Sequence, residues 1–233
     1  MEQEKLFGQN WEKLFKPGAI AAIVIVALIP IQIFIFAAYP PPDNPAGFFE
    51  LFSKNWFLGL LSLDLLYIIN NTVIIVLYLA LFAALKNTSF IGMLTALAFG
   101  LIGITSYYSS AVAFEMLSVG KQYNQAVTVE MKQQLMAVGY AMLATYKGTS
   151  FDVYYVLNAI TLLIISVIMF RSSVFTRPTA VWGIISGIFM IIPSTAGKIG
   201  LVFSLISLIP WIVFSIMVAK KLFWLHRASI KAF

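Results

Sequence analysis

Six long runs of apolar residues constrain this chain more than any other feature of its sequence. They cover about residues 18–39, 56–85, 90–113, 151–170, 179–193 and 199–218. Most reach the roughly 20 residues that an α-helix needs to cross about 30 Å of hydrocarbon. Only 10% of the residues are charged, against about 25% in soluble domains. Because so few charges cannot cover a water-facing surface, the runs predict helices in a lipid bilayer.

The lysines and arginines between the runs indicate an orientation. Placing the N-terminus inside puts ten of the fifteen on the cytoplasmic side, which is the side where they concentrate in membrane proteins. The inner set is Lys5, Lys13, Lys16, Lys86, Arg171, Arg177, Lys220, Lys221, Arg227 and Lys231, and the outer set is Lys54, Lys121, Lys132, Lys147 and Lys198. This asymmetry predicts that both ends of the chain are cytoplasmic and that the number of crossings is even.

The predicted fold is all-α, a polytopic bundle of six transmembrane helices. Residues 1–17 are predicted to form an amphipathic cytoplasmic N-terminus, residues 18–222 the transmembrane domain, and residues 223–233 a basic cytoplasmic tail. Residues 126–146, between the third and fourth spans, predict an amphipathic helix lying on the membrane. Pro30 and Pro210 should kink the first and sixth spans. Residues 193–200, PSTAGKIG, predict either a hairpin turn or a re-entrant loop.

Polar side chains within the runs are the candidates for a functional site, because such groups are costly in hydrocarbon and should face protein or water. Asp64, Tyr67 and Asn71 have the spacing i, i+3, i+7 and should share one face of the second helix. The full candidate pocket consists of Asp64, Tyr67, Asn71, Tyr107, Tyr108, Glu115, Asp152, Asn158 and Lys198. Three of these are acids near outer helix ends, which suits a water-accessible vestibule for a cation or an amine.

A purely structural role for these groups is the alternative. Asparagine and serine form hydrogen bonds between membrane helices, and Ser150 or Asp152 can cap the fourth span. Lys198 is also predicted to form a salt bridge with Asp152 or Glu115. The spacing does not decide between a binding pocket and interhelical contacts.

Several kinds of chemistry find no support in the sequence. The chain has no cysteine and one histidine, His226, so disulfides, thiolate catalysis, a histidine metal site and a Ser-His-Asp triad have no residues to build them. No phosphate-binding loop or dinucleotide motif is present, so we expect no metal and no cofactor. The Lys and Arg residues flank the apolar runs rather than form a patch, which argues against a nucleic-acid partner.

The C-terminal half carries three motif-like pieces: GTSFD at 148–152, PSTAGKIG at 193–200 and SLIPW at 207–211. As a set they resemble the uncharacterised prokaryotic six-helix membrane proteins of the domain of unknown function 4386 family (DUF4386). The resemblance spans most of the chain, although the N-terminal third matches only in hydropathy and in its long second helix. It implies a membrane fold and a prokaryotic plasma membrane, and it assigns no reaction and no site residues.

Three functional hypotheses remain open. The favoured one is a non-enzymatic structural or accessory subunit, or a regulator, in a membrane complex, with membrane lipid and other membrane-protein subunits as partners. The alternative is a small transporter or a receptor for a lipid or amphipathic cation, using a polar pocket around Asp64. The least favoured is an intramembrane enzyme that uses Asp64, Glu115 and Asp152.

Overall fold

The computed structural model describes residues 11–231, and within that range every regular element is a helix. A short 3₁₀ helix, Trp11–Leu14, leads into the first α-helix. The α-helices, in chain order, are α1 (Phe15–Ala38), α2 (Pro45–Lys54), α3 (Trp56–Ser62), α4 (Leu65–Leu85), α5 (Phe90–Ser110), α6 (Ala113–Gln125), α7 (Val129–Tyr146), α8 (Thr149–Arg171), α9 (Arg177–Phe189) and α10 (Gly197–Lys231). The prediction of an all-α membrane protein is therefore confirmed at the level of secondary structure.

Five stretches of the described chain are long and apolar enough to cross a bilayer: Trp11–Ala38, Leu65–Leu85, Phe90–Gln125, Val129–Arg171 and Gly197–Ile230. The predicted fifth run becomes α9, which has 13 residues. At 1.5 Å per residue it is only about 20 Å long, which is too short to span about 30 Å of hydrocarbon alone. Five candidate spans, rather than six, follow from helix length.

The long helices form a closed ring. α1 packs on α4, α4 on α5, α5 on α8, α8 on α9, α9 on α10, and α10 returns to α1. The buried core runs through all six, with Ile25, Leu77, Leu162 and Phe214 among the fully enclosed side chains. A ring of this kind encloses a central space, and the side chains that line this space determine what the protein can bind.

Small residues set the close spacing of neighbouring helices. A Cβ atom added at Gly183 would lie 2.1 Å from Ser166 Oγ, and one added at Gly18 would lie 2.1 Å from Ala80 Cβ. Lipid tails are as apolar as the helix surfaces, so helices in a membrane associate through such close packing rather than through the hydrophobic effect.

The two long connections between membrane helices fold together into a cap, which comprises α2, α3, α6 and α7. Phe48, Phe49, Phe52, Leu63 and Met116 are among the residues of a second hydrophobic cluster that joins these helices. The helix predicted at 126–146 is therefore present as Val129–Tyr146. The cap belongs to one end of the ring, and it carries Lys54, Lys121, Lys132 and Lys147.

The opposite end of the ring collects the N-terminal 3₁₀ helix and the turn after α4. The ring of Trp11 lies 5.4 Å from that of Phe82, and Lys86 Nζ lies 4.5 Å above the Trp11 ring. Lys86 and Lys121 are thus at opposite ends of the molecule, as the predicted orientation requires. Which end faces the cytoplasm stays a prediction.

The second predicted run is not one continuous helix, which corrects the sequence analysis. It breaks between Ser62 and Leu65, where Asp64 has a φ of +65°. A left-handed conformation ends a right-handed helix, and among non-glycine residues Asp and Asn adopt it most readily. Asp64 therefore immediately precedes α4 and does not share a helical face with Tyr67 and Asn71.

One further prediction needs correction at a helix end. Gly148 precedes α8 and no side chain caps that helix, so neither Ser150 nor Asp152 has the predicted capping role. Residues 223–231 of the predicted basic tail are helical and continue α10, and their cytoplasmic location stays a prediction. Residues 1–10 of the predicted amphipathic N-terminus lie outside the described part of the chain.

Candidate functional site

A cavity lies at the centre of the helix ring. It offers about 70 Å³ to water molecules, which is several times the space that one water requires. Its walls come from α1, α4, α8 and α10, together with Met190 just after α9. The polar and aromatic side chains that line it are Tyr67, Asn70, Tyr78, Tyr154, Tyr155, Asn158, Ser207 and Trp211.

A side cleft adjoins the cavity between α1, α4 and α10. It offers about 130 Å³ and shares Ile29, Tyr67, Asn70 and Leu208 with the central cavity. The remaining lining residues are Leu28, Gln32, Ile33 and Leu66, and the surface of the cleft is almost wholly apolar. Ile33 is 50% exposed on the outside of α1, so the cleft faces the lipid.

Hydrogen bonds hold the wall of the cavity in place. The Tyr78 hydroxyl donates to Asn158 Oδ1 at 2.7 Å, and Asn158 Nδ2 donates to the backbone carbonyl of Tyr154 at 2.9 Å. The Tyr154 hydroxyl in turn lies 3.1 Å from that of Tyr67. These bonds connect α4 to α8.

A cluster of aromatic rings closes the cavity on the side of α5. The Tyr107 ring is fully buried, with its centroid 5.0 Å from that of Tyr154 and 5.2 Å from that of Tyr67. Phe151 packs on Tyr155 with the centroids 5.9 Å apart. Tyr108 lies at the edge of the cluster, where its hydroxyl is 2.8 Å from Thr72 Oγ1.

Several buried amide atoms near the cavity have no hydrogen-bond partner within the described protein. They are Gln32 Nε2 and Oε1, Asn70 Oδ1, and both polar atoms of the Asn71 side chain, and the Tyr107 hydroxyl shares this property. Buried polar groups are nearly always satisfied in native proteins, so each exception needs an explanation. Gln32 and Asn70 both belong to the lining of the side cleft, and their unpartnered atoms are enclosed by the surrounding side chains.

Asp64 lies at the junction between the cap and the ring rather than in the cavity. Its carboxylate is buried and accepts a hydrogen bond from the hydroxyl of Tyr146, the last residue of α7. Its backbone carbonyl accepts the first hydrogen bonds of α4, from Tyr67 and Ile68. A negative charge at a helix N-terminus is favourable because of the helix dipole. Asp64 therefore fixes the cap to the first turn of α4.

The structure separates the three acids of the predicted vestibule. Asp64 meets Tyr146, whereas Asp152 in the first turn of α8 accepts a hydrogen bond from Thr195. Glu115 is exposed at the start of α6. The predicted salt bridge of Lys198 is wrong for this structure, because Lys198 is exposed and pairs with neither Asp152 nor Glu115. Of the nine predicted pocket residues, Tyr67 and Asn158 therefore line the cavity, and the other seven do not.

The described residues form one ion pair. It lies on the exposed surface of α2, and neither of its residues lines the cavity. Lys54 Nζ is 2.5 Å from Glu50 Oε1 on α2, with both side chains mostly exposed. The hydrogen bond from Lys54, assisted by its charge, lowers the pKa of the Glu50 carboxyl below its ordinary value. The charges of the cap are thus surface features.

The predicted pocket omitted most of the polar and aromatic lining: Gln32, Asn70, Tyr78, Tyr154, Tyr155, Ser207 and Trp211. Gln32 is the one amide in the first apolar run, and an isolated amide in a membrane helix is a usable signal for an inward-facing site. Ser207 and Trp211 lie close to Pro210 on α10. Because α1, α4 and α10 are far apart in the sequence, nothing in it indicates that these three helices meet.

The match to known families follows the same part of the chain as the ring. The family model described as "Domain of unknown function (DUF4386)" matches residues 18–226, from the first turns of α1 to near the end of α10. The chain belongs to the DUF4386 family. The resemblance seen in its sequence motifs is therefore confirmed. Comparison with curated proteins and with solved structures gives no match.

The polar and aromatic lining of the cavity in this DUF4386 protein is uncharged. Its members are tyrosines, amides, a serine and a tryptophan. Within the described residues, no three His, Asp or Glu side chains are grouped closely enough to hold a metal ion. Aromatic faces and amide groups can instead recognise a bound molecule by shape and by hydrogen bonds.

Proposed function

We propose that this DUF4386 protein is a membrane receptor or small transporter that takes a lipid-soluble molecule from the bilayer into the cavity of its helix ring. The observation that carries the proposal is that the central cavity and the side cleft between α1, α4 and α10 share four lining residues, Ile29, Tyr67, Asn70 and Leu208. A ligand dissolved in the membrane reaches such a site without crossing water.

The unpartnered amides support this proposal energetically. Leaving a buried polar atom without a hydrogen bond costs roughly 1–3 kcal/mol, and hydrocarbon offers no water to supply the missing partner. Gln32 and Asn70, which belong to the lining of the cleft, together carry three such atoms just beneath its surface. A ligand with polar atoms would relieve this cost, so binding gains free energy from groups that are unsatisfied in the empty protein.

Two prolines adjoin the same site. Pro30 lies between the lining residues Ile29 and Gln32, and Pro210 lies between Leu208 and Trp211. Proline has no backbone N–H and weakens the helix at that point, and interrupted helices commonly surround the substrate sites of membrane transporters. Two of the three helices that border the cleft, α1 and α10, are thus weakened at the level of the ligand, which favours a helix movement that admits it.

The proposal includes a finer topology. We propose that α9 and the turn at residues 190–196 together form a sixth crossing, because α9 fills its place in the ring between α8 and α10. The end of the ring opposite the cap, which carries Lys86, would then be cytoplasmic, and the cap would lie outside. Family membership favours a prokaryotic plasma membrane.

Filling the cavity tests the proposed function. Leu208 lines both the cavity and the cleft, so Leu208→Trp should block ligand entry. Leu205→Trp is the matched control, because Leu205 lies on the same helix and is 52% exposed. The measurement is native mass spectrometry of protein released from native-lipid nanodiscs. We expect bound small molecules on the wild type and on Leu205→Trp, and their loss from Leu208→Trp. Equal retention by all three proteins would contradict the proposal.

An accessory subunit is the second candidate, and the apolar surface of the cap favours it. Val127 is 94% exposed, Val129 66% and Tyr140 56%, so this side of the cap presents apolar groups that a partner subunit can cover. Extraction in mild detergent followed by native electrophoresis tests it. A stoichiometric partner whose binding is lost in Val129→Lys would support this role, and migration of the chain alone would contradict it.

A further inference from the structure

The lining of the cavity and cleft restricts the charge of the ligand. Every described residue that lines either space is apolar, aromatic, amide or hydroxyl, and none carries a charge. Asp64, the acid that immediately precedes α4, lines neither space, and its carboxylate already accepts a hydrogen bond from the hydroxyl of Tyr146. A charged head group in this space would lose its hydration with no counter-charge to replace it, which is strongly unfavourable in hydrocarbon.

The free hydrogen-bonding atoms define the polar part of the ligand. Gln32 Nε2 lacks an acceptor, whereas Gln32 Oε1 and Asn70 Oδ1 lack donors. A ligand that displaces the packing over these atoms must therefore both donate and accept. A hydroxyl group does both with one oxygen, and a carboxamide does both with its N–H and C=O. An ionised phosphate only accepts, and a quaternary ammonium can do neither.

The shape of the site places the apolar part of the ligand. The cleft leading outward has an almost wholly apolar lining, with Leu28, Ile33 and Leu66 at its sides, so an acyl or alkyl chain can extend through it into the bilayer. The aromatic rings of Tyr67, Tyr154 and Trp211 lie further inside, against the head group. From this arrangement, and resting on the proposed function, we propose that the ligand is an uncharged amphipath with a hydroxyl or carboxamide head and an aliphatic chain, drawn from the membrane itself.

The test compares ligands that share a chain and differ in the head. Purified protein in nanodiscs is incubated with a monoacylglycerol, the corresponding primary fatty amide, an alkyl phosphate and an alkyltrimethylammonium of the same chain length, and retained molecules are counted by native mass spectrometry. We expect retention of the two neutral compounds in preference to the two charged ones. Gln32→Leu and Asn70→Leu should each weaken neutral-ligand retention by about tenfold, because a site built for hydrogen bonds discriminates strongly when one is removed.

Matched variants keep the result interpretable. Asn87→Leu, in the exposed turn after α4, removes an amide away from the cavity and should leave retention unchanged. Gln32→Glu introduces a charge at the cleft and should shift retention from the neutral compounds to the alkyltrimethylammonium. Circular dichroism and gel filtration identify any variant that fails to fold, and Gln32→Glu then stands as the second test.

The possible outcomes separate this inference from the function beneath it. Retention of a charged compound that depends on Gln32 and Asn70 would overturn the neutral-ligand inference and leave the binding function intact. Equal retention of all four compounds by the wild type and both leucine variants would also overturn it. Retention of none of the four, together with no effect of Leu208→Trp on native ligands, would contradict the proposed function itself.

Discussion

The hydroxyl of Tyr146 donates a hydrogen bond to the carboxylate of Asp64 across 82 positions of sequence. Tyr146 ends the last helix of the cap, and Asp64 precedes the first residue of α4. This bond is therefore the polar link between the cap and the ring that contains the cavity.

Removing that link should loosen the cap. Tyr146→Phe leaves a buried carboxylate without its partner, and we expect a loss of roughly 1–3 kcal/mol in stability. Thermal unfolding in detergent measures it, and hydrogen exchange should increase in α7. Tyr140→Phe is the control, since Tyr140 lies on the same helix and is 56% exposed. Identical unfolding of the two variants would show that the Tyr146 contact contributes nothing.

The backbone of Asp64 makes a separate prediction. A φ of +65° is tolerated by Asp, Asn and Gly but costs other residues about 1–2 kcal/mol. Asp64→Asn should retain the helix break and most of the stability, whereas Asp64→Val should lose the hydrogen bond and strain the backbone as well. The check is the difference in melting temperature between the two variants. A Val variant as stable as the Asn variant would mean that α3 and α4 can join without the left-handed residue.

The contact between α5 and α8 gives a third prediction. A Cβ atom at Gly103 would lie 2.5 Å from Asn158 Nδ2, so Gly103→Ala should displace Asn158 and its bond to Tyr78. Overpacking of this kind typically destabilises by about 1–3 kcal/mol. Thermal unfolding should show the loss, and ligand retention should fall with it. Ala98→Ser, which adds one heavy atom on the exposed side of α5, should change neither quantity.

The orientation of the chain can be tested directly because it has no cysteine. Single substitutions Lys86→Cys and Lys121→Cys place one thiol at each end of the ring. In intact cells, a membrane-impermeant maleimide should label Lys121→Cys from outside and reach Lys86→Cys only after the membrane is opened. Labelling of both variants from the same side would refute the proposed topology.

The sequence predicted the membrane fold because the requirement for about 20 apolar residues per span is local. The length of the apolar runs located α1, α5 and α8 to within three residues at each end, whereas the second run starts nine residues before α4 and the sixth ends thirteen residues before the end of α10. The tyrosines and amides marked α4 and α8 as inward-facing. The break at Asp64 was missed because residues 56–85 are apolar on both sides of it. A left-handed residue leaves no trace in hydropathy.

The composition of the site was predictable only in part. Tyr67 and Asn158 were among the predicted residues because polar groups in hydrocarbon must face the interior. The pairing of Asp64 with Tyr146 and of Asp152 with Thr195 depends on how the cap and the turn at 190–196 fold back. Such contacts between distant segments leave no spacing signal in a single sequence. The sequence analysis therefore grouped the three acids into one vestibule.

Photo-crosslinking tests most directly whether the ring takes a molecule from the bilayer. Cells grown with a diazirine fatty acid incorporate it into their lipids, and irradiation followed by peptide mass spectrometry maps the adducts on α10. We predict adducts on the lining residues Leu208 and Trp211, as well as on the lipid-facing Ile206 and Ile209. In Leu208→Trp, the adduct on Trp211 should be lost, whereas those on Ile206 and Ile209 should remain. Adducts confined to Ile206 and Ile209 in the wild type would contradict the account.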